Sequence, residues 1–233
     1  MTINAPKYDP EKPRKPPLSF GRPHDFHELL ADGIVHGIGV VFALIGSTAL
    51  IFYATISASL PEQIAVWIYS IGLIASLAIS FTYNMLPHSR LKWHFRRLDH
   101  SAIFILIAAT YTPFLQRGTH DPWAMSLLVA IWLMAAFGIA LKCLFPGRYH
   151  RLAIGLYLLM GWSGLIAFKS ISTIVPSVSM LLIVLGGLIY TIGVIFHVWE
   201  RLRFQNAIWH SFVVVAAAIH YSAVLTSFQY AAP

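Results

Sequence analysis

A chain of 233 residues that is 58% hydrophobic and 11% charged, with a mean hydropathy of +0.69, carries too few charges for a water-soluble domain, where roughly 25% is usual. The net charge of +7 and pI near 9.7 would suit nucleic acid, but the basic residues lie between long apolar runs, so membrane lipid is the expected partner and nucleic acid is excluded. A single cysteine, Cys143, excludes an intramolecular disulfide and argues against a cysteine-based metal site.

Residues 1–27 are polar, and the stretch YDPEKPRKPPLSFGRP is rich in Pro, Lys and Arg. They read as a disordered cytoplasmic tail with no cleavable signal peptide. HDFHELLADG is expected to add a short interfacial helix before the first span. The membrane domain is taken as residues 28–233. A bilayer core needs about 20 apolar residues per helix. Seven runs qualify: 33–56, 63–86, 100–116, 123–145, 152–170, 177–198 and 207–229. Pro61, Pro87, Asp121-Pro122, Pro146-Gly147 and Pro176 punctuate them. The third run contains Pro113 and is expected to kink. The expected fold is all-α: a polytopic membrane protein built as a seven-transmembrane-helix bundle, with self-association compatible with it.

Lys and Arg orient that bundle. Fourteen lie in the tail and in the second, fourth and sixth connections, against Arg117 and Lys169 on the other side. The positive-inside rule then places the N-terminus in the cytoplasm and the C-terminus outside, in a bacterial inner membrane.

Polar residues gather at the predicted cytoplasmic end. Glu28, Asp32 and His36 follow one another at four-residue spacing, hence on one helix face. Ser80, Asn84 and His88 do the same where the second span ends. Asp99 opens the third span, and Asn206 and His210 open the seventh. Taken singly, Asp99 and Asn206 are good helix N-caps. His88, His94, His100 and His150 suit interfacial positions in basic loops. His197 lies near the inner end of the sixth span, and His220 reads as an isolated packed residue. Four helices presenting Asp, His, Ser and Asn at one depth nevertheless point to a site, because intramembrane ionisable groups are costly to keep. Such groups suit a zinc-bound water or a proton-titrating network.

The chain resembles the hemolysin III family, the bacterial branch of the progestin and adipoQ receptor superfamily. The resemblance spans about residues 28–225 and rests on ELLADGIVHGIG, RRLDHSAIFILIAATYTPF, YLLMGW, GGLIYTIGVIF and NAIWHSFVVVAAAIHY. It implies seven helices with the N-terminus inside. It also implies a zinc site of the form Ser-x3-His, Asp and His-x3-His. The matching residues here are Ser80 and Asn84, Asp99, and Asn206 and His210. Asn84 and Asn206 offer neutral amides where the pattern has imidazoles, and an amide is a much poorer zinc ligand. His88, one turn beyond Asn84, is the candidate substitute.

Three functions follow from these residues. The first is a sensor or regulator of membrane lipid state, with the polar cluster as its switching element. The second is a zinc-dependent hydrolase of a lipid amide, like the ceramidases that some superfamily members resemble, with Asp99 and Ser80 in the catalytic roles. The third is the cytolysin of the family name, which fits poorly with a multi-span chain that shows neither a secretion signal nor an amphipathic pore segment.

Overall fold

A computed structural model describes residues 25–166 and 168–229, so residues 1–24 of the expected tail lie outside it. Eight α-helices follow in order: α1 Phe26–Ser57, α2 Leu60–Met85, α3 Arg90–Leu115, α4 Pro122–Leu144, α5 His150–Trp162, α6 Phe168–Ile174, α7 Ser177–Val198 and α8 Gln205–Gln229. Short 3-10 turns occupy Gln116–Gly118 and Ser163–Leu165. Six of the helices, α1 to α4 with α7 and α8, are long and apolar enough to cross a membrane. The protein is therefore an all-helical, multi-pass membrane protein.

The seventh crossing is the broken pair α5–α6. The first residue of α5, His150, has its ring 6.3 Å from that of His100 and 5.3 Å from that of His197, at the end of the bundle that carries the polar residues. At the other end, Ile174 of α6 packs beside Gly118, past the end of α3. The segment between them therefore traverses the bundle. The unbroken helix expected over 152–170 does not form, because the chain tightens into a 3-10 turn at Ser163–Leu165. Inside a bilayer every backbone polar group needs a protein partner. Tyr111 of α3 supplies one for each side of the break: its hydroxyl donates to the Gly161 carbonyl (2.7 Å) and accepts from the Gly164 N–H (3.0 Å).

Two other boundaries differ from the sequence reading. Among the described residues no separate interfacial helix precedes the first span, because α1 runs continuously for 32 residues from Phe26. A reciprocal capping box closes its start: Glu28 N–H donates to Asp25 Oδ1 (2.8 Å) and Asp25 N–H to Glu28 Oε2 (3.1 Å). Helix α3 begins at Arg90, not at residue 100, with Ser89 as its cap. The basic stretch RLKWHFRRL is therefore helix, and Asp99 sits in the third turn of α3 instead of capping it. Pro113 lies near the C-terminus of α3, shortly before the chain tightens into the 3-10 turn at Gln116.

Helix α1 packs against α2 and α8, α2 against α3, α3 against α4, and α7 against α8. With no hydrophobic drive between helices in lipid, close approach depends on small residues. Gly72 meets Ala109, Gly138 meets the Phe104 ring and Gly193 meets Phe212. The outward faces carry Ile45, Phe52, Leu133, Phe137 and Ile195, all exposed, as expected for lipid contact. At the end opposite the polar cluster, Arg117, in the 3-10 turn Gln116–Gly118, bridges α2 and α8. It pairs with Glu62 of α2 (3.0 Å) and donates to Ser227 Oγ of α8 (2.9 Å). Of the two basic residues counted against the main charge bias, one thus has a local structural partner.

Candidate functional site

The four-residue spacing along α1 turns Glu28, Asp32 and His36 inward, where they are 4%, 2% and 4% exposed. Each reaches a different neighbour. Glu28 caps α1 and also accepts, through Oε1, the Phe204 N–H just ahead of α8 (2.9 Å). Phe204 has φ +58, a left-handed conformation unusual for a side chain of its size, and the Glu28 carboxylate holds that turn in place. Glu28 therefore joins the entry of α8 to the start of α1.

Asp32 faces α8. Its Oδ1 is 2.6 Å from His210 Nδ1, a charge-assisted distance. His36 faces α2. Its Nε2 lies 3.2 Å from Ser80 Oγ and 3.3 Å from Asn84 Nδ2. The His36 and His210 rings stand perpendicular with centroids 4.2 Å apart. One turn of α1 thus gathers α2 and α8 around a carboxylate and two imidazoles.

The remaining predicted residues fall on the same end of the bundle but in different roles. Asn84 is buried and donates its amide to the Ser80 carbonyl (2.9 Å), as well as approaching His36. Asp99 lies beside Ser80 and within electrostatic reach of Asp32, His210 and Arg96. Asn206 lies in the first turn of α8 and lines the cavity described below. His88 is exposed in the turn between α2 and α3, also outside that group. Among the described residues, Asp32, His36 and His210 are the group of metal-capable side chains whose donor atoms all lie within 4.8 Å of one another.

Lys92 was not singled out in the sequence. Its ammonium donates to the Leu86 (2.8 Å) and Asn84 (3.3 Å) carbonyls, closing the C-terminus of α2. The signal for it was present: a lysine a few residues past a helix end commonly caps the last carbonyls. His100, His150 and His197 form a second run of rings, with His197 in turn 4.8 Å from Trp209. His220 is a packed residue, its Nε2 donating to the Ile183 carbonyl (3.1 Å).

The polar layer closes one end of a cavity of about 700 Å³. Asp32, His36, Ser80, Asp99 and His210 line that end. The walls continue along Ile107, Thr110 and Phe114 of α3 and Val184 and Thr191 of α7 to Phe168 of α6. From Asp99 to Phe114 is about 22 Å along a helix axis.

The zinc site implied by the resemblance can be tested against these contacts. Of its histidine positions only His210 keeps an imidazole. Asn84 directs its amide N–H groups toward Ser80 and His36, an arrangement of donors where a cation needs lone pairs. That ligand set does not fit zinc in this chain.

The fold and the site together define a multi-pass helical membrane protein with a carboxylate–imidazole–hydroxyl layer at one end of an intramembrane cavity. A family profile described as "Haemolysin-III related" matches residues 24–221. The chain belongs to that family. It is 35% identical to the Hemolysin-3 homolog of Bacillus subtilis over 198 residues, covering 85% of this chain and 93% of that one. It is 34% identical to Hemolysin-3 of Bacillus cereus, covering 85% and 90%. It is 33% identical to the human monocyte to macrophage differentiation factor, covering 85% and 83%. No solved structure matches the chain.

Proposed function

We propose that this protein is a bacterial inner-membrane sensor of lipid state, binding an acyl lipid in the cavity with its headgroup against the polar layer. The carrying observation is the shape of that cavity: apolar walls about 22 Å long ending in hydroxyl, carboxylate and imidazole groups. One leaflet of a bilayer is about 15 Å of hydrocarbon, so a single acyl chain fits along it. Its volume of about 700 Å³ falls in the range of small-molecule sites. The contacts that a headgroup would disturb, His210–Asp32 and His36–Ser80, are those that tie α1 to α8 and α2. Occupancy of the cavity can therefore bias how these three helices pack, which is what a sensor requires.

A second reading is favoured by one observation: Ser80 and Asp99 stand next to the close-set donor atoms of Asp32, His36 and His210. That arrangement suits hydrolysis of a lipid amide. A single experiment separates the two. The purified full-length protein is extracted and its retained lipids identified by mass spectrometry, then incubated with an N-acyl sphingoid lipid. The sensor reading expects stoichiometric retention of an acyl lipid, lost when Thr110→Trp fills the cavity, with no release of free fatty acid. Fatty acid release that depends on Ser80 would move the hydrolase ahead. Absence of both retained lipid and fatty acid release would overturn both.

The fourteen Lys and Arg residues of the tail and the second, fourth and sixth connections support a cytoplasmic position for the cluster end. Reporter domains fused at each terminus are expected to give a cytoplasmic signal from the N-terminal fusion and a periplasmic one from the C-terminal fusion. Matching signals from both ends would contradict an odd number of crossings.

A further inference from the structure

Lys142, in the last turn of α4, is 5% exposed. A lysine is almost never buried to that degree without a partner. Among the described residues no carboxylate pairs with its ammonium, and the charge it meets is Arg96, of the same sign. Asp99 and Glu200, the carboxylates nearest this end of α3 and α5, act on His100 and His150 instead. Lys142 borders a small pocket between α3, α4 and α5 that Arg96, Arg97, Gly147, Arg148 and His150 complete. Arg97 adds a second unsatisfied donor there, since its Nε is buried without a hydrogen-bond partner. The start of α5 is a third. Its N-cap residue, Tyr149 at φ +56, makes no side-chain cap, so the positive end of that helix stays open beside the pocket. Gly147, at φ +78, turns the chain into it, and a methyl group there would stand 3.3 Å from the Trp93 ring.

We infer that this pocket binds a phosphate group, whose oxygens accept from Lys142 and Arg97 and face the open start of α5. Each element suits that chemistry. Ammonium and guanidinium groups are the usual phosphate donors, and a helix N-terminus favours an anion. An anion also supplies what Lys142 lacks, a charge of opposite sign. The volume of about 20 Å³ admits one or two oxygens and leaves the rest of the group outside. Two sources carry this chemistry, the headgroup of an anionic lipid and free phosphate. The exposed Leu144, Phe145 and Leu152 lie next to the pocket in the chain and would meet the acyl chains of such a lipid. The site does not rest on the acyl-lipid cavity, since Arg97, Lys142, Gly147 and Arg148 do not line it.

The test uses the purified full-length protein, delipidated in maltoside micelles at constant ionic strength. One arm is titrated with phosphatidylglycerol and the other with inorganic phosphate, and the thermal midpoint is followed. A saturable rise is expected, because the unfolded chain lacks the site. A rise with phosphatidylglycerol alone assigns the phosphate to a lipid, and a rise with inorganic phosphate as well assigns it to the free ion. Lys142→Met keeps the length of the side chain and removes the charge. It should raise the midpoint of the ligand-free protein and weaken half-saturation by about tenfold or more, the usual worth of a hydrogen bond to a charged group. Arg97→Gln should weaken it in the same direction. Arg201→Gln, an exposed cation at the same end but outside the pocket, and Thr110→Trp, in the acyl-lipid cavity, should each leave it within about threefold of the wild type. No saturable rise with either probe would overturn the inference. Unchanged half-saturation in folded Lys142→Met would do so too, as would a lowered ligand-free midpoint, which would mean that the ammonium is already satisfied. A loss with Arg201→Gln as large as with Lys142→Met would show general attraction to a basic surface, and a comparable loss with Thr110→Trp would put the probe in the other cavity. Either would overturn the pocket as the site.

Discussion

His210→Ala is expected to be the most damaging single change at the polar layer, costing about 1–3 kcal/mol and at the upper end because the group that loses its hydrogen-bond partner is a carboxylate. The Asp32 carboxylate is 2% exposed, and its close partner is the His210 ring at 2.6 Å. Once that ring is gone, His36 Nδ1 at 3.7 Å is too distant to replace it. The same argument predicts a rescue. Adding Asp32→Asn to His210→Ala removes the carboxylate that has lost its 2.6 Å contact and should recover part of the loss, so the two changes will be non-additive. His120→Ala, at an exposed position in the turn before α4, should shift the transition little. His220→Ala loses one bond to a backbone carbonyl and should rank between them. Thermal unfolding in one detergent, with chelator present to set metal aside, gives the order. Equal losses at positions 210 and 120, or a double variant worse than His210→Ala, would show that Asp32 does not depend on that ring.

A loss of similar size from a smaller chemical change is expected at Gly138→Ala. A methyl group added there would stand 2.3 Å from Cε1 and Cζ of Phe104. The Phe104 ring is fully buried and packs on Tyr157 with centroids 4.4 Å apart, so it has little room to retreat. Overpacking of this kind usually costs about 1–3 kcal/mol, and a ring held on both sides belongs at the upper end or above. The strain should also travel. Tyr157 lines the cavity and donates its hydroxyl to the His100 carbonyl (2.8 Å), so displacement of Phe104 presses on the wall beside Asp99. Gly138→Ala is therefore expected to lower both the thermal midpoint and lipid retention, and Phe104→Leu in the same chain should restore both. Gly37→Ala and Gly155→Ala are the controls. Nothing lies within 4 Å of a methyl group at either position, and alanine favours the helix by up to about 1 kcal/mol. If all three glycine variants melt alike, close packing of α3 on α4 is not what Gly138 provides.

Much of the architecture was legible from residue order. Bilayer thickness sets a minimum apolar length, so six of the spans announce themselves by composition. Four-residue spacing places Glu28, Asp32 and His36 on one face whatever surrounds them. What the apolar runs could not mark was where helices outlast the hydrocarbon. Arg and Lys are good helix formers, so α3 continues for ten residues through a stretch that reads as a basic loop. Nor could local sequence announce the break after Trp162. The hydroxyl that makes it tolerable comes from Tyr111, on another helix.

The polar layer divides the same way. Its residue types, its depth and its helices follow from spacing and charge in the sequence alone, because a costly group in lipid must face inward and the alternation of spans brings the same ends together. The pairings within it do not follow. Along α2, His88 was the candidate substitute for a missing imidazole, a full turn out of place, and it lies exposed beyond the helix end. The second ring beside His210 is His36, from a helix that precedes Asn84 in the chain. Which nitrogen meets which carboxylate depends on helix rotation and on distances of an ångström or two. Those are set by small residues such as Gly39 and Gly46, where α1 closes on Val214 and Tyr221 of α8. Such contacts join residues some 175 positions apart, a separation at which spacing along the chain carries no information about orientation.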